Sequence, residues 1–223
     1  MKAQIIRLTL LNHLFYYTEV SGGGASATIT GAFLGDLALN YALHRVLRND
    51  AGSYRYVDKP DYSELKQFGF YCSVAKPETK PRRTDTYIHN TLFNCDGYID
   101  KDCIQKSGKS PYKNYRQVQG IAIGSTFLAL VLSENTLHLP PTIRMGRAKE
   151  TLIRVDMLNE KNADTNDFWL NAFTLKTVFN NLDAALNLLQ QEQKMNFTYV
   201  LENYNLLKKI SLQNAVQIFE GKI

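Results

Sequence analysis

Residues 118–132, VQGIAIGSTFLALVL, are apolar almost throughout. Such a run fits a central strand covered on both faces, with a bend where Gly124 interrupts it. A sheet buried on both sides needs a further layer on each side, which a chain of 223 residues is long enough to supply. Asn135 and the pair Pro140 and Pro141 mark the turn after the run. Residues 150–157, ETLIRVDM, resume a strand pattern.

Near the N-terminus, residues 4–11 alternate, with Ile6, Leu8 and Leu10 on one side and Arg7 and Thr9 on the other. That pattern gives a strand with one buried face. SGGGASATITG follows; Gly22, Gly23 and Gly24 make it read as a loop. A helix is expected over residues 32–48, its apolar stripe formed by Phe33, Leu34, Leu37, Ala38, Tyr41, Ala42 and Val46. Arg45 and Arg48 suit its last turn, and Asn49, Asp50 and Gly52 stop it.

Residues 53–116 read as an insertion. Two strand-like runs, LKQFGFYCSV and TDTYIHNTLFN, flank KPETKPRR, whose Lys76, Lys80, Arg82 and Arg83 give a hairpin with a cationic tip. DGYIDKDCIQKSGKSPYKNYR then reads as a long polar loop. The last third, from residue 158, is expected to be mostly helical. Its strongest stripe is Leu175, Val178, Phe179, Leu182, Ala185, Leu186 and Leu189, with Thr174 as a cap, and Ser211 caps a final helix. The order of elements suits a single α+β domain with a mostly antiparallel sheet, of split βαβ, ferredoxin-like (RRM-like) form.

Charge and cysteine content narrow the function classes. Residues 1–155 carry 20 Lys and Arg against 13 Asp and Glu, and residues 156–223 carry 6 against 8, so the cationic surplus lies in the first two-thirds. That asymmetry points to an anionic partner. Cys72, Cys95 and Cys103 are an odd number with no CxxC pair, which argues against a disulfide framework and against structural zinc. No metal or other cofactor is expected. No apolar run approaches the roughly 18 residues of a membrane span, and no secretory signal is evident, so a cytoplasmic protein is expected.

TIRMGRAK, residues 142–149, carries the sharpest chemistry. Arg144, Arg147 and Lys149 surround Gly146; guanidinium groups fork onto phosphate oxygens, and a glycine lets backbone N–H groups approach. A bend at Gly146 would bring the two arginines to one side. Arg82 and Arg83 in the basic segment suit a nucleic-acid backbone. The glycines 22–24 before a helix lack the lysine and spacing of a nucleotide loop, but helix N–H groups there can meet RNA phosphates. Tyr112, Lys113, Tyr115 and Arg116 interleave aromatic and basic side chains for base stacking. His13, His44, His89 and His138 are scattered, and neither HExxH nor GxSxG occurs. A metal-independent endoribonuclease needs only a general base and a cation, so His13 with a tyrosine and a lysine stays open as an alternative.

Several motifs resemble one family. They are GDLALNYAL from Gly35 to Leu43, the FYCSVAKP strand, Gly-Ser-Thr-Phe at 124–127 and IRMGR at 143–147. Over residues 4–157 the chain resembles the Csc-one branch of the Cas-five proteins, subunits of type I-D CRISPR surveillance (Cascade) complexes. Gly35 and Asp36 stand where that helix often begins with a histidine–asparagine pair, and the tail after 157 does not match the pattern. The resemblance implies a RAMP core with a β-hairpin thumb. It implies a non-catalytic subunit that grips the 5′ handle of the CRISPR RNA (crRNA) and caps the helical backbone of the complex. It implies a place among the backbone subunits and beside the large subunit, near the protospacer-adjacent motif (PAM) of target DNA. Through the loop match, RNA contact falls on Arg144, Arg147 and Lys149.

Overall fold

The computed structural model describes residues 1–20, 27–48, 61–90, 115–146, 150–159, 165–190, 197–201 and 204–223. Its backbone is mixed α/β with mostly antiparallel pairing. β1 (Lys2–Leu10) is the middle of the largest sheet and runs antiparallel to both neighbours, β8 (Thr126–Ser133) and β10 (Thr151–Leu158). β9 (Thr142–Met145) pairs outside β10. On the far side of β8 lie β4 (Phe70–Cys72) and β5 (Lys76–Pro77), so the order is β4-β8-β1-β10-β9 with β5 also on β8.

Both faces of this sheet are covered. α1 (Asp36–Leu47) lies on one, where its Leu39 and Leu43 share a core with Ile6, Leu8, Leu10, Phe127, Ala129, Val131 and Ile153. On the other, Ile5, Leu130, Leu132 and Tyr71 pack with Phe168, Leu170, Leu175, Leu206 and Phe219 of the C-terminal third. Neighbouring residues of β8 thus serve opposite cores, which is why that strand shows no polar alternation.

The apolar run at 118–132 is not one bent strand. Its first residues close β7 (Tyr115–Gln119), which belongs to a separate sheet, and the chain turns through Gly124 at φ +81° before β8. That four-stranded sheet has the order β2-β3-β7-β6, from β2 (Tyr17–Val20), β3 (Ala27–Thr30) and β6 (Tyr87–Asn90). The end of SGGGASATITG is therefore a strand, antiparallel to β2 and parallel to β7, and not loop throughout.

The expected cationic-tipped hairpin does not form either. FYCSVAKP is an edge of the main sheet, residues 63–67 are a short 3-10 turn, and β6 pairs with β7. Lys76 is 8% exposed and its Nζ lies 2.9 Å from Asp167 Oδ2, so it is no tip residue. Apolar Tyr71, Cys72, Val74 and Ala75 demanded burial more strongly than the prolines demanded a loop.

α1 starts later than its periodicity predicts and buries a different arc. Asp36, Leu37, Leu39, Asn40, Leu43 and His44 face inward, while Val46 is 43% exposed. The inward polar residues have work to do. Asn40 caps the free edge of β4: its Oδ1 accepts from Cys72 N–H at 2.8 Å and its Nδ2 donates to the Cys72 carbonyl at 2.9 Å.

The last third is as much sheet as helix. β11 (Phe168–Asn171), β13 (Tyr204–Ile210) and β12 (Phe197–Leu201) form an antiparallel sheet in the order β11-β13-β12. The expected long helix splits into α2 (Ala172–Thr177) and α3 (Leu182–Gln190), with Asn180 at φ +49° between them. Asn171 caps α2 by accepting from Phe173 N–H, and Thr174 lies inside the helix. Ser211 caps α4 (Leu212–Phe219) as its position predicts, accepting from Asn214 N–H at 3.2 Å.

Candidate nucleic-acid interface

At one end of the main sheet β1, β5 and β9 end while β8 and β10 begin. The connecting segments there hold one another in place. Residues 11–15 are the hub. On one side Leu14 exchanges backbone hydrogen bonds with Ile121, both at 2.9 Å, and Gly124 N–H donates to the Leu10 carbonyl. On the other, Asn12 clamps the start of β10: Nδ2 donates to the Glu150 carbonyl at 3.0 Å and Oδ1 accepts from Leu152 N–H at 2.7 Å. Thr151 Oγ1 donates to the His13 carbonyl at 2.9 Å.

Gly146, just past the end of β9, rests on this hub. Gly146 has φ +88°, a conformation that side chains resist. A methyl group there would come within 3.0 Å of Leu14 Cδ1 and 3.2 Å of the Phe15 carbonyl. The bend expected at Gly146 is present. Arg144, opposite Leu152 on the outermost strand, is exposed, whereas its neighbours Ile143 and Met145 are buried. Arg147 and Lys149 lie outside the described residues, as do Gly22, Gly23, Gly24, Tyr112 and Lys113. Tyr115 and Arg116 open β7, opposite Asn90 and His89.

The basic segment passes the same end. The Arg82 carbonyl accepts from Ala122 N–H at 2.8 Å, and Thr84 and Gly120 bond each other, while the Arg82 side chain is exposed. Arg83 is committed to the fold, its guanidinium donating to the Thr30 carbonyl. Several other cations are also neutralised. Arg7 forks onto Glu78 at 2.7 and 2.8 Å, and Arg154 Nε lies 2.8 Å from Asp156. Burial raises the Glu78 carboxyl, but hydrogen bonds from Arg7 and Thr126 and the Arg7 charge outweigh it and leave the group below its ordinary value. Arg144, Arg82 and Lys80 are exposed and form no ion pair among the described residues. The structure thus brings Arg144, Gly146, Arg82 and His13 to one end, a convergence that no single motif announces. Asn12 and Thr151, which tie the 11–15 segment to the start of β10, carried no signal in the sequence.

The start of α1 holds a carboxyl of its own. The first turn of α1 is filled by its own Asp36 carboxylate, fully buried. It accepts from Thr174 Oγ1 at 2.6 Å, Tyr71 Oη at 2.9 Å and Asn171 Nδ2 at 3.0 Å. Gly35 beside it is needed for close approach: a methyl group there would sit 2.0 Å from Tyr204 Oη.

His13 is poorly placed as a general base. Its Nδ1 accepts from Ile123 N–H at 3.1 Å, which assigns the proton of the neutral ring to Nε2. Tyr16 Oη is paired with Tyr204 Oη at 2.9 Å, and burial pushes the Tyr16 phenol up to about 12. Among the described residues no group of His, Cys, Asp and Glu is arranged to hold a metal ion. Among them too, no helix is long and apolar enough to cross a membrane.

No curated protein matches the chain. Among solved structures, it is similar to a chain of the type III-B Cmr-beta complex bound to cognate target RNA and AMPPnP. There the TM-score is 0.43 and the identity 8%, over 98% of this chain and 89% of that one. It is also similar to a chain of a type IV-B CRISPR complex, with a TM-score of 0.38 and 10% identity, over 73% of this chain and 93% of that one. The family model described as type I-D CRISPR-associated protein Cas5/Csc1 matches residues 1–221, the β-rich C-terminal third included, and the chain belongs to that family.

Proposed function

We propose that this protein is a non-catalytic, RNA-holding subunit of a type I-D CRISPR surveillance complex. It grips the 5′ handle of the crRNA with the end of the sheet built around Gly146, and caps the backbone of the complex. It lies beside the large subunit, near the PAM of target DNA. Family membership supports the setting. One observation carries the RNA assignment: Arg144 and the Gly146 bend share an end of the sheet with Arg82 and Lys80, and these three cations have no acidic partner among the described residues. The ferredoxin-like reading draws support from β4-β8-β1-β10, the strand order of a split βαβ with α1 between β1 and β4. The β9 strand stands where such a core has its second helix.

Replacing Arg144 with Ala tests the assignment. Loss of one phosphate contact weakens RNA binding about five- to tenfold and lowers the slope of log affinity against log salt by about one. The melting temperature is expected to stay put, because the side chain is exposed. Unchanged RNA affinity would overturn the assignment. A discrete cut in repeat RNA, made by the purified chain in chelator and lost on replacing His13, would overturn the non-catalytic reading.

A further inference from the structure

Two features of this end are not explained by phosphate contact. The first is how His13 is held. Its carbonyl is bonded by Thr151 Oγ1, its Nδ1 by Ile123 N–H, and the preceding Asn12 is locked to β10 by two hydrogen bonds. The ring is nevertheless exposed, and its Nε2 makes no hydrogen bond among the described residues. An N–H donor is therefore fixed in place and aimed at solvent. The second is the neighbourhood. Four large apolar side chains are exposed among the described residues, and two of them, Leu11 (38%) and Ile123 (47%), lie on the segments that bracket His13. Isolated exposed apolar residues need no explanation. A pair flanking a rigid donor, at the same end as Arg144 and Arg82, is a different matter.

We propose that His13, Leu11 and Ile123 form a step that receives one unpaired nucleobase of the bound RNA. The Nε2–H donates to a ring nitrogen or carbonyl on the base edge, and the two aliphatic side chains cover part of its face. Charge complementarity selects the occupant. The exposed cations Arg144, Arg82 and Lys80 hold the phosphates of a polyanion, and a splayed base beside them needs an apolar surface with a single donor. A phosphate would desolvate poorly against Leu11 and Ile123. This inference rests on the RNA assignment to the Gly146 end.

Two substitutions separate ligand contact from turn support. His13→Asn keeps an acceptor at the Nδ1 position for Ile123 N–H and leaves no donor at the Nε2 position. His13→Gln restores a donor near the Nε2 position. The full chain is titrated with a synthetic RNA carrying the repeat-derived 5′ segment of the guide. His13→Asn is expected to weaken binding about fivefold at unchanged melting temperature, and His13→Gln to recover most of the loss. In RNAs with single abasic positions, one position is expected to weaken the wild type about fivefold and leave His13→Asn unaffected. Wild-type affinity in His13→Asn would overturn the proposal, leaving the imidazole as a support for the 122–124 turn. So would an abasic series in which no position erases the difference, because the contact would then be to phosphate. Arg144→Ala run alongside keeps the two readings apart. If it binds like wild type, the RNA assignment fails; if it weakens binding while His13→Asn does not, only the base step fails.

Discussion

Two polar clusters in this molecule use similar residues for opposite ends. Around Asp36, the residues Asn40, Asn171 and Thr174 are buried and their hydrogen bonds close on one another and on Tyr71. Around His13, Asn12 and Thr151 bond the backbone, while His13, Arg144 and Arg82 turn their side chains outward. The first cluster joins α1 and β4 to β11 and α2, so its role is to fasten the C-terminal third to the main sheet. In the second the hydrogen bonds shape a surface and His13, Arg82 and Arg144 stay exposed on it, as the proposed RNA contact requires. Burial of the donors, more than residue type, separates a joint from a site.

The largest effect should follow from breaking the joint. Asp36→Ala strands the Tyr71 hydroxyl, the Thr174 hydroxyl and the Asn171 amide in a closed core. About 3 kcal/mol of destabilisation is expected, read by urea unfolding, with the helices and strands melting together. A loss below about 1 kcal/mol would show that the cluster relaxes freely and is no joint.

The same carboxyl makes a signed prediction in pH. Burial lifts it above its ordinary value of 3.8, against the opposing hydrogen bonds from Thr174, Asn171 and Tyr71. A group raised in the folded state binds its proton more tightly folded than unfolded. The stability it contributes is complete below 3.8 and is lost as pH rises through the folded value. Asp36→Asn removes this dependence. The unfolding free energy of wild type relative to that variant should therefore decline as pH rises above 3.8. A flat difference would mean that the hydrogen bonds cancel the burial penalty.

The contrast between the clusters also explains what the sequence could disclose. The alternation of Ile6, Leu8 and Leu10 and the strand at 150–157 were legible because Ile6, Leu8, Leu10, Ile153 and Val155 all face one core. The bend at Gly146 was legible because a glycine between charged residues has few other uses. The inward face of α1 was not, because Asp36 and Asn40 are polar and their partners lie about 35 to 135 residues away in sequence. Lys76 and Arg83 counted as surface cations until Asp167 and the Thr30 carbonyl came into reach. The first strand of the C-terminal third was hidden for a similar reason: β11 pairs with β13 across the intervening helices α2 and α3.

A smaller effect is expected at the turn itself. Gly146→Ala must adopt φ near +88° and press a methyl group against Leu14 and the Phe15 carbonyl. About 1 to 2 kcal/mol of strain follows. If the turn shifts to relieve it, Arg144 moves and RNA affinity falls along with stability. Asp36→Ala should instead lower stability while the molecules that remain folded bind RNA normally. Equal affinity losses per unit of stability in the two variants would erase the distinction between joint and site.

The smallest effect on stability, and the finest probe of the site, belongs to Asn12. Its amide stands in for a strand beside the start of β10, one face donating to the Glu150 carbonyl and the other accepting from Leu152 N–H. Asn12→Ala removes both bonds at an exposed position where water can replace them, so about 1 kcal/mol or less is expected in unfolding. Asn12→Asp keeps the acceptor for Leu152 but sets a carboxylate against the Glu150 carbonyl, and should do worse. The same clamp fixes Glu150 and Leu152 at the start of β10, with Leu152 opposite Arg144. A loosened start of β10 must be ordered again on binding, so both variants are expected to weaken RNA binding without reducing its salt slope, since no cation has been removed. An Asn12→Ala protein with wild-type affinity would show that the start of β10 keeps its place without the clamp, and that the site is held by Gly146 and Thr151 alone.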